Sequence, residues 1–233
     1  MVQARRMYAM PRQSFRELAD KINASSPDLI VILGDMVDWY SPENVDYALE
    51  MLAELKAPWH AVPGNHDFEG IRPAAEGWDW VPSWENHVIA RPGWKERGVV
   101  FRNRTITDGH AVLCLMNSAF SDVPPGTAEW LDRSIRPDGT NLLFTHVPPD
   151  TPENRSAILT REPYRDMNKY VQSKASGLYA GHIQHRFSHV FTGHLHVPYV
   201  IPHDRMTCHI LGQWGAILVD IGAKGATVNA LST

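Results

Sequence analysis

The chain predicts an α/β layer architecture, on three observations. Helical periodicities alternate with short, apolar, β-branched runs through the first half, which implies a largely parallel sheet with crossover helices. The second half abandons that alternation for short strand-like runs separated by Gly, Pro and Asp, which implies a mostly antiparallel second sheet. Third, 233 residues with 43% hydrophobic and 21% charged side chains suffice to bury one sizeable core, and the length favours a single domain over residues 1–233.

The elements follow in order. Phe15, Leu18, Ala19 and Ile22 fall at helical spacing, and Pro27 closes that segment before the buried strand-like run Leu29-Ile30-Val31-Ile32-Leu33. Ser41 is a natural N-cap with Pro42 at the first helical position, and Val45, Ala48, Leu49, Leu52 and Leu55 continue the apolar stripe. A strand is expected at 59–62. Residues 99–104 and 111–116 read as a hairpin around Asp108-Gly109, followed by a helix at 127–135 and strands at 142–145 and 190–192. Runs at 197–201, 206–210, 216–221 and 226–230 make up the expected antiparallel sheet. Residues 148–188 are the least regular stretch, with one helix expected at 164–173.

Composition removes several classes of function. A formal charge of -4 without a basic block gives no support for binding extended duplex nucleic acid. Cys114 and Cys208 are far apart in apolar runs, so they read as buried thiols rather than a disulfide or a thiolate metal site. No apolar run reaches membrane-spanning length and residues 1–10 contain no apolar signal core, so a cytoplasmic location is expected. The 12 histidines stand out, several beside Gly, Asn, Asp or Thr, and invite a search for metal ligands.

Four short motifs follow four expected strands: Gly34-Asp35-Met36-Val37-Asp38, Gly64-Asn65-His66-Asp67, Thr145-His146 and Gly193-His194-Leu195-His196. Loops at the carboxyl ends of strands are where an open α/β sheet assembles a ligand site, so the four can converge in space. Together they offer a carboxylate able to bridge, an amide oxygen and several imidazoles, a set suited to iron, manganese, zinc or nickel rather than calcium.

These motifs resemble those of the calcineurin-like metallophosphoesterases, GDxxD, GNH[DE], a lone His after a strand, and GHxH, over a stretch from about Phe15 to the C-terminal strands. The resemblance implies a four-layer α/β/β/α sandwich of two mixed sheets flanked by helices, and a dinuclear divalent metal centre. It implies that Asp35 bridges two metals, that Asn65, His146 and His194 complete the second site, and that His196 belongs to the first. His66 would be the general acid, oriented by a hydrogen bond that Asp38 accepts. The implied activity is hydrolysis of phosphomonoesters or phosphodiesters by a metal-activated water, on a small molecule or nucleotide.

One family motif has no counterpart. The Asp-x-His that supplies the first metal from the first strand is absent before Phe15, and so is an apolar strand to carry it, so the expected sheet lacks its first strand. A sequence that starts too late accounts for this best. The alternative is a catalytically impaired relative used as a binding or scaffold module. Asp108-Gly109-His110 matches the missing spacing, but Asp-Gly between strand-like runs reads as a hairpin turn. Asp67 is expected to give no more than support from behind the metal ligands, and His182, His185 and His189 read as surface or packing residues. Trp78, Trp80, Trp84 and Trp94 read as core cover or cleft lining, with a stacking platform for bases as the alternative.

Overall fold

The computed structural model describes residues 11–231. Helix α1 (Pro11–Ser25) leads to strand β1 (Ile30–Ile32), and α2 (Pro42–Leu52) crosses over to β2 (Trp59–Ala61). The two strands are parallel, with Ile30 opposite Trp59 and Ile32 opposite Ala61. The start of α2 is where its cap signal put it: Ser41 Oγ accepts from the Asn44 amide at 3.1 Å, with Pro42 in the first turn. Phe15 and Ala19 of α1 pack on Met51 and Leu52 of α2 and on Ile32, covering the outer face of this ladder.

The main sheet has six strands: β5 (Arg104–Thr107), β6 (Ala111–Met116), β7 (Thr140–Thr145), β8 (His189–His196), β9 (Tyr199–Pro202) and β10 (Thr207–Gly212), in the order β5-β6-β7-β8-β10-β9. The inner four are mutually parallel and the edges β5 and β9 run antiparallel to their neighbours. Period-two alternation divides the core. Val112, Cys114, Met116 and Leu143 face helices α4 (Thr127–Ser134) and α5 (Pro152–Arg161) through Leu131 and Ile158. Leu113, Leu115, Leu142 and Phe144 face the other way, onto Val31, Leu33 and Val62 of the β1–β2 layer and onto Ile217 and Val219 of strand β11 (Ala216–Gly222). The layers therefore run helix, six-stranded sheet, small ladders, helix, as the resemblance implied. Cys114 and Cys208 are free and buried.

Several expectations are corrected. Runs 197–201 and 206–210 do not join the C-terminal ladder; they form β9 and β10 of the main sheet, with β10 parallel to β8. Strands β11 and β12 (Gly225–Leu231) pair antiparallel with each other. Alternation tells which face a strand buries and leaves its neighbour open. Residues 99–103 are not a strand; Val99 and Phe101 pack instead on Phe68 and Trp94. That cluster is built around helix α3 (Ser83–Glu96), unforeseen because Pro92 and Gly93 interrupt its pattern. A hairpin of β3 (Gly70–Pro73) and β4 (Trp78–Val81) also went unread. The helix expected at 164–173 shrinks to the single turn α6 (Met167–Tyr170), while α5 lies in the stretch read as irregular, capped by Thr151 Oγ1 on the Asn154 amide at 3.0 Å.

A cavity of about 920 Å³ lies between the small ladders, lined by Ile30 and Ile32 of β1, by Ile217, Val219 and Ile221 of β11, and by Phe15 and Leu18 of α1. Its lining includes Asp35, His146 and His194.

Burial separates the two sheet systems energetically. Leu143, fully buried in β7, should cost about 2–5 kcal/mol when replaced by Ala. Leu218, half-buried on the cavity wall, should cost about 1 kcal/mol. Urea unfolding of Leu143→Ala and Leu218→Ala measures the difference, and equal losses would show that the cavity wall is packed like the core.

Candidate metal centre and active site

Parallel pairing ends β1 and β2 at the same edge, so their following loops meet. The approach is tight enough to require glycine. Gly34 has φ +89°, and a Cβ there would lie 2.4 Å from the Gly64 nitrogen, while a Cβ on Gly64 would lie 2.0 Å from Asp35 Oδ1. Asp67, fully buried, staples the two loops by accepting from the amides of Asp35 (3.1 Å), Met36 (2.8 Å) and Gly64 (2.8 Å). Burial, with the charge of Asp35 beside it, pushes the Asp67 carboxyl up to about 7 in spite of those amides. The His66 amide donates to Asp35 Oδ1 at 3.0 Å, closing the join from the other side.

Onto this join the ends of β7 and β8 bring two imidazoles, each tethered through one ring nitrogen. His146 Nδ1–H donates to the Leu33 carbonyl at 2.6 Å, and His194 Nε2–H donates to the Lys169 carbonyl at 2.9 Å. Asn65 is tethered likewise, its Nδ2 donating to Glu69 Oε1 at 2.9 Å. The atoms left over point at one another. His146 Nε2 lies 3.2 Å from His194 Nδ1, 3.3 Å from Asn65 Oδ1 and 3.2 Å from Asp35 Oδ2. Asp35 Oδ2 is buried without a hydrogen-bond partner, and the ligand atoms of Asp35, His146 and His194 all fall within 4.8 Å of one another. Lone pairs gathered this closely repel unless a proton or a metal ion lies between them, and the nitrogen and oxygen donors are those a divalent first-row ion takes. The residues present fit a metal.

The electrostatics agree. Burial works against the charge on Asp35, yet the neighbouring imidazoles, His146 foremost, hold its carboxyl well below the usual carboxylate range, and against its own burial the charge of Asp35 in turn raises His146. Burial, and then the neighbouring His146, pushes His194 down to about 3, leaving it neutral and able to act as a ligand. Asp35, His194 and His196 also share a backbone feature rare away from glycine, with φ of +55°, +71° and +60°. His196 lines the same cavity as Asp35 and His194, and burial lowers its basicity.

His66 is held differently. Its Nδ1–H donates to the backbone carbonyl of Asp38 at 2.8 Å, with Glu69 Oε2 2.8 Å from the same nitrogen. The Asp38 carboxylate is further off, at 3.9 Å. Against the penalty of burial, the adjacent carboxylates of Glu69 and Asp35 raise His66 to about 10, so it carries its proton at neutral pH. Glu69 therefore grips both Asn65 and His66, which sequence reasoning missed. Its signal was present: a carboxylate three and four residues beyond them, on a turn closed by the Glu69 amide on the Asn65 carbonyl at 3.0 Å. Tyr170, with its ring centroid 5.4 Å from that of His194, was missed as well.

Among the described residues the converging carboxylates and imidazoles are Asp35, His146 and His194, so His196 shares the cavity without joining them, and His182, His185 and His189 are engaged elsewhere. Asp108 Oδ1 accepts from the amides of His110 and Ala111 at 2.9 and 2.7 Å, closing the β5–β6 turn as its Asp-Gly suggested. His182 pairs with Asp132 at 2.8 Å, His185 lies 3.5 Å from Asp204, and His189 meets His209 at 3.0 Å.

Removing the Asp67 carboxylate leaves three loop amides unsatisfied, at about 1–3 kcal/mol each before relaxation. Asp67→Ala should cost about 3–5 kcal/mol in urea unfolding. A loss below about 1 kcal/mol would mean that something else holds the loops together.

Comparison with known proteins places this geometry. Residues 11–198 match the family described as calcineurin-like phosphoesterase. A probable glycerophosphodiester phosphodiesterase of Arcobacter nitrofigilis is 27% identical over 171 residues, covering 70% of this chain and 58% of that protein. A 3',5'-cyclic-nucleotide phosphodiesterase of Nostoc sp. is 25% identical over 189 residues, covering 75% and 63%. The match thus spans under two thirds of the length of either relative. Among solved structures, a dimetal phosphatase from Danio rerio superposes with a TM-score of 0.61 at 13% identity, over 97% of this chain and 90% of that one, a likeness of fold. With its sandwich of sheets, its four strand-end motifs and a match over most of its length, the chain belongs to the calcineurin-like phosphoesterases, a family of metal-dependent phosphoester hydrolases.

Proposed function

We propose that the chain hydrolyses phosphodiesters, with Asp35, Asn65, His146, His194 and His196 holding divalent metal and His66 acting as general acid. The convergence of tethered lone pairs on the orphaned Asp35 Oδ2 carries this reading. The diester class is favoured because the two relatives above are both named phosphodiesterases. A divalent ion in this site supplies charge to the phosphoryl oxygens and lowers the pKa of water.

The chain's own residues do the rest. His66 holds a proton on the edge of the cluster and can give it to the departing alkoxide. Glu69 fixes the ring that carries the proton and, through Asn65 Nδ2, turns the amide oxygen inward. Asp38 supports His66 through its carbonyl oxygen. The occupants of the metal positions, among manganese, iron, zinc and nickel, are a matter of availability as much as of ligand geometry.

A second reading, an impaired relative serving as a binding module, is favoured by one observation. Among the described residues, no Asp-x-His joins the donor cluster. Elemental analysis of the purified chain, with hydrolysis of bis(p-nitrophenyl) phosphate in added manganese, separates the two. Bound metal with turnover supports the enzyme; metal-free protein without turnover supports the binding module.

Two substitutions sharpen the test. His146→Ala should lower both metal content and turnover, the latter by at least about 100-fold, since even residues behind the ligands contribute about 10–100-fold. Full activity in that variant would sink the proposed site. Glu69→Gln should slow hydrolysis of alkyl diesters about tenfold more than that of p-nitrophenyl diesters, whose leaving group needs no acid. Equal effects on both would confine Glu69 to the metal site.

A further inference from the structure

The hairpin β3–β4 leaves an apolar face open to solvent beside His66. Its register sets Ile71 opposite Trp80 and Pro73 opposite Trp78, so these four share one face, while Arg72 and Asp79 share the other. The polar face is tied down by Arg72, which donates to Glu85 on α3 at 3.0 Å. The root of the hairpin is held as well. Gly70 abuts Asn86, where a Cβ would lie 2.7 Å from Nδ2, and Asn86 donates to the Phe68 carbonyl at 2.9 Å. On the apolar face, however, Trp78 is 69% exposed and Trp80 46%. The indole of Trp80 stands edge-on to the His66 ring, with centroids 5.9 Å apart and planes at 76°. Contiguous exposed aromatics on a rigid support mark a surface meant to be covered.

We propose that this face, with Trp80 in the lead, stacks on the base of a nucleoside leaving group, and so selects nucleoside phosphodiesters over diesters of small aliphatic alcohols. The inference rests on His66 being the general acid. A proton delivered from His66 reaches the leaving oxygen, so the departing alcohol lies against whatever borders His66, and Trp80 borders it. A flat indole offers a base a large π-face and offers a small polyol little. A membrane surface suits this face poorly, because the hairpin carries Glu76 and Asp79 and its one cation, Arg72, is paired with Glu85.

The test is a selectivity ratio: kcat/KM for cyclic 3′,5′-AMP over that for glycerophosphoethanolamine, in manganese, for the wild type, Trp80→Ala and Trp80→Phe. Trp80→Ala should lower the ratio about tenfold or more, chiefly through a higher KM for the nucleotide, and Trp80→Phe should restore it to within about threefold. Equal losses on both substrates would overturn the proposal and make Trp80 a prop for the His66 ring. If the wild type turns over neither diester, the reading of the reaction fails, and the stacking is then judged on binding alone. A Kd for AMP that weakens about tenfold in Trp80→Ala relative to that for inorganic phosphate upholds it, and an unchanged ratio overturns it.

Discussion

The site depends on one close approach, that of the loops after β1 and β2. Both strands run the same way and end at the same edge, so Gly34 and Gly64 come within a distance that admits no side chain on either. Asp67 then holds both loops with one buried carboxylate. Asp35 and Asn65 take their positions from this join, and His66 is bonded across it by its own amide. The join is thus made of backbone amides donating to two carboxylates, Asp67 and Asp35, with no long flexible side chain in it.

The same economy governs the donors. Three of them spend one atom on the protein: His146 on Leu33, His194 on Lys169, Asn65 on Glu69. The free atom is thereby aimed, and the tautomer of each imidazole follows from the carbonyl its partner nitrogen meets. The arrangement is electrostatically incomplete by itself, with a buried unpartnered oxygen on Asp35 and left-handed backbone at Asp35, His194 and His196. Such local conflicts persist where a bound group resolves them and the rest of the fold is stable enough to impose them. That stability comes from the six-stranded sheet, buried on both faces, whose strands β7 and β8 deliver His146 and His194. The small ladders beside it are looser, separated by the cavity, and the polar end of that cavity is the site.

What the sequence determined by itself is local. A polar side chain just past the end of a buried strand is a pattern written within a few residues, so Asp35, Asn65, His66, His146, His194 and His196 could be put forward as candidates before any coordinates, as could the Ser41-Pro42 helix start and the Asp108-Gly109 turn. What only the tertiary structure decided is partnership. Strand β10 lies parallel beside β8, His66 turns to Glu69 and the Asp38 carbonyl more closely than to the Asp38 carboxylate, and Trp80 stands over the same ring from a hairpin that no periodicity revealed. The physical reason is range: caps, turns and alternation are energies of neighbouring residues, whereas the choice between two equally suitable neighbours is settled by the packing of the whole chain.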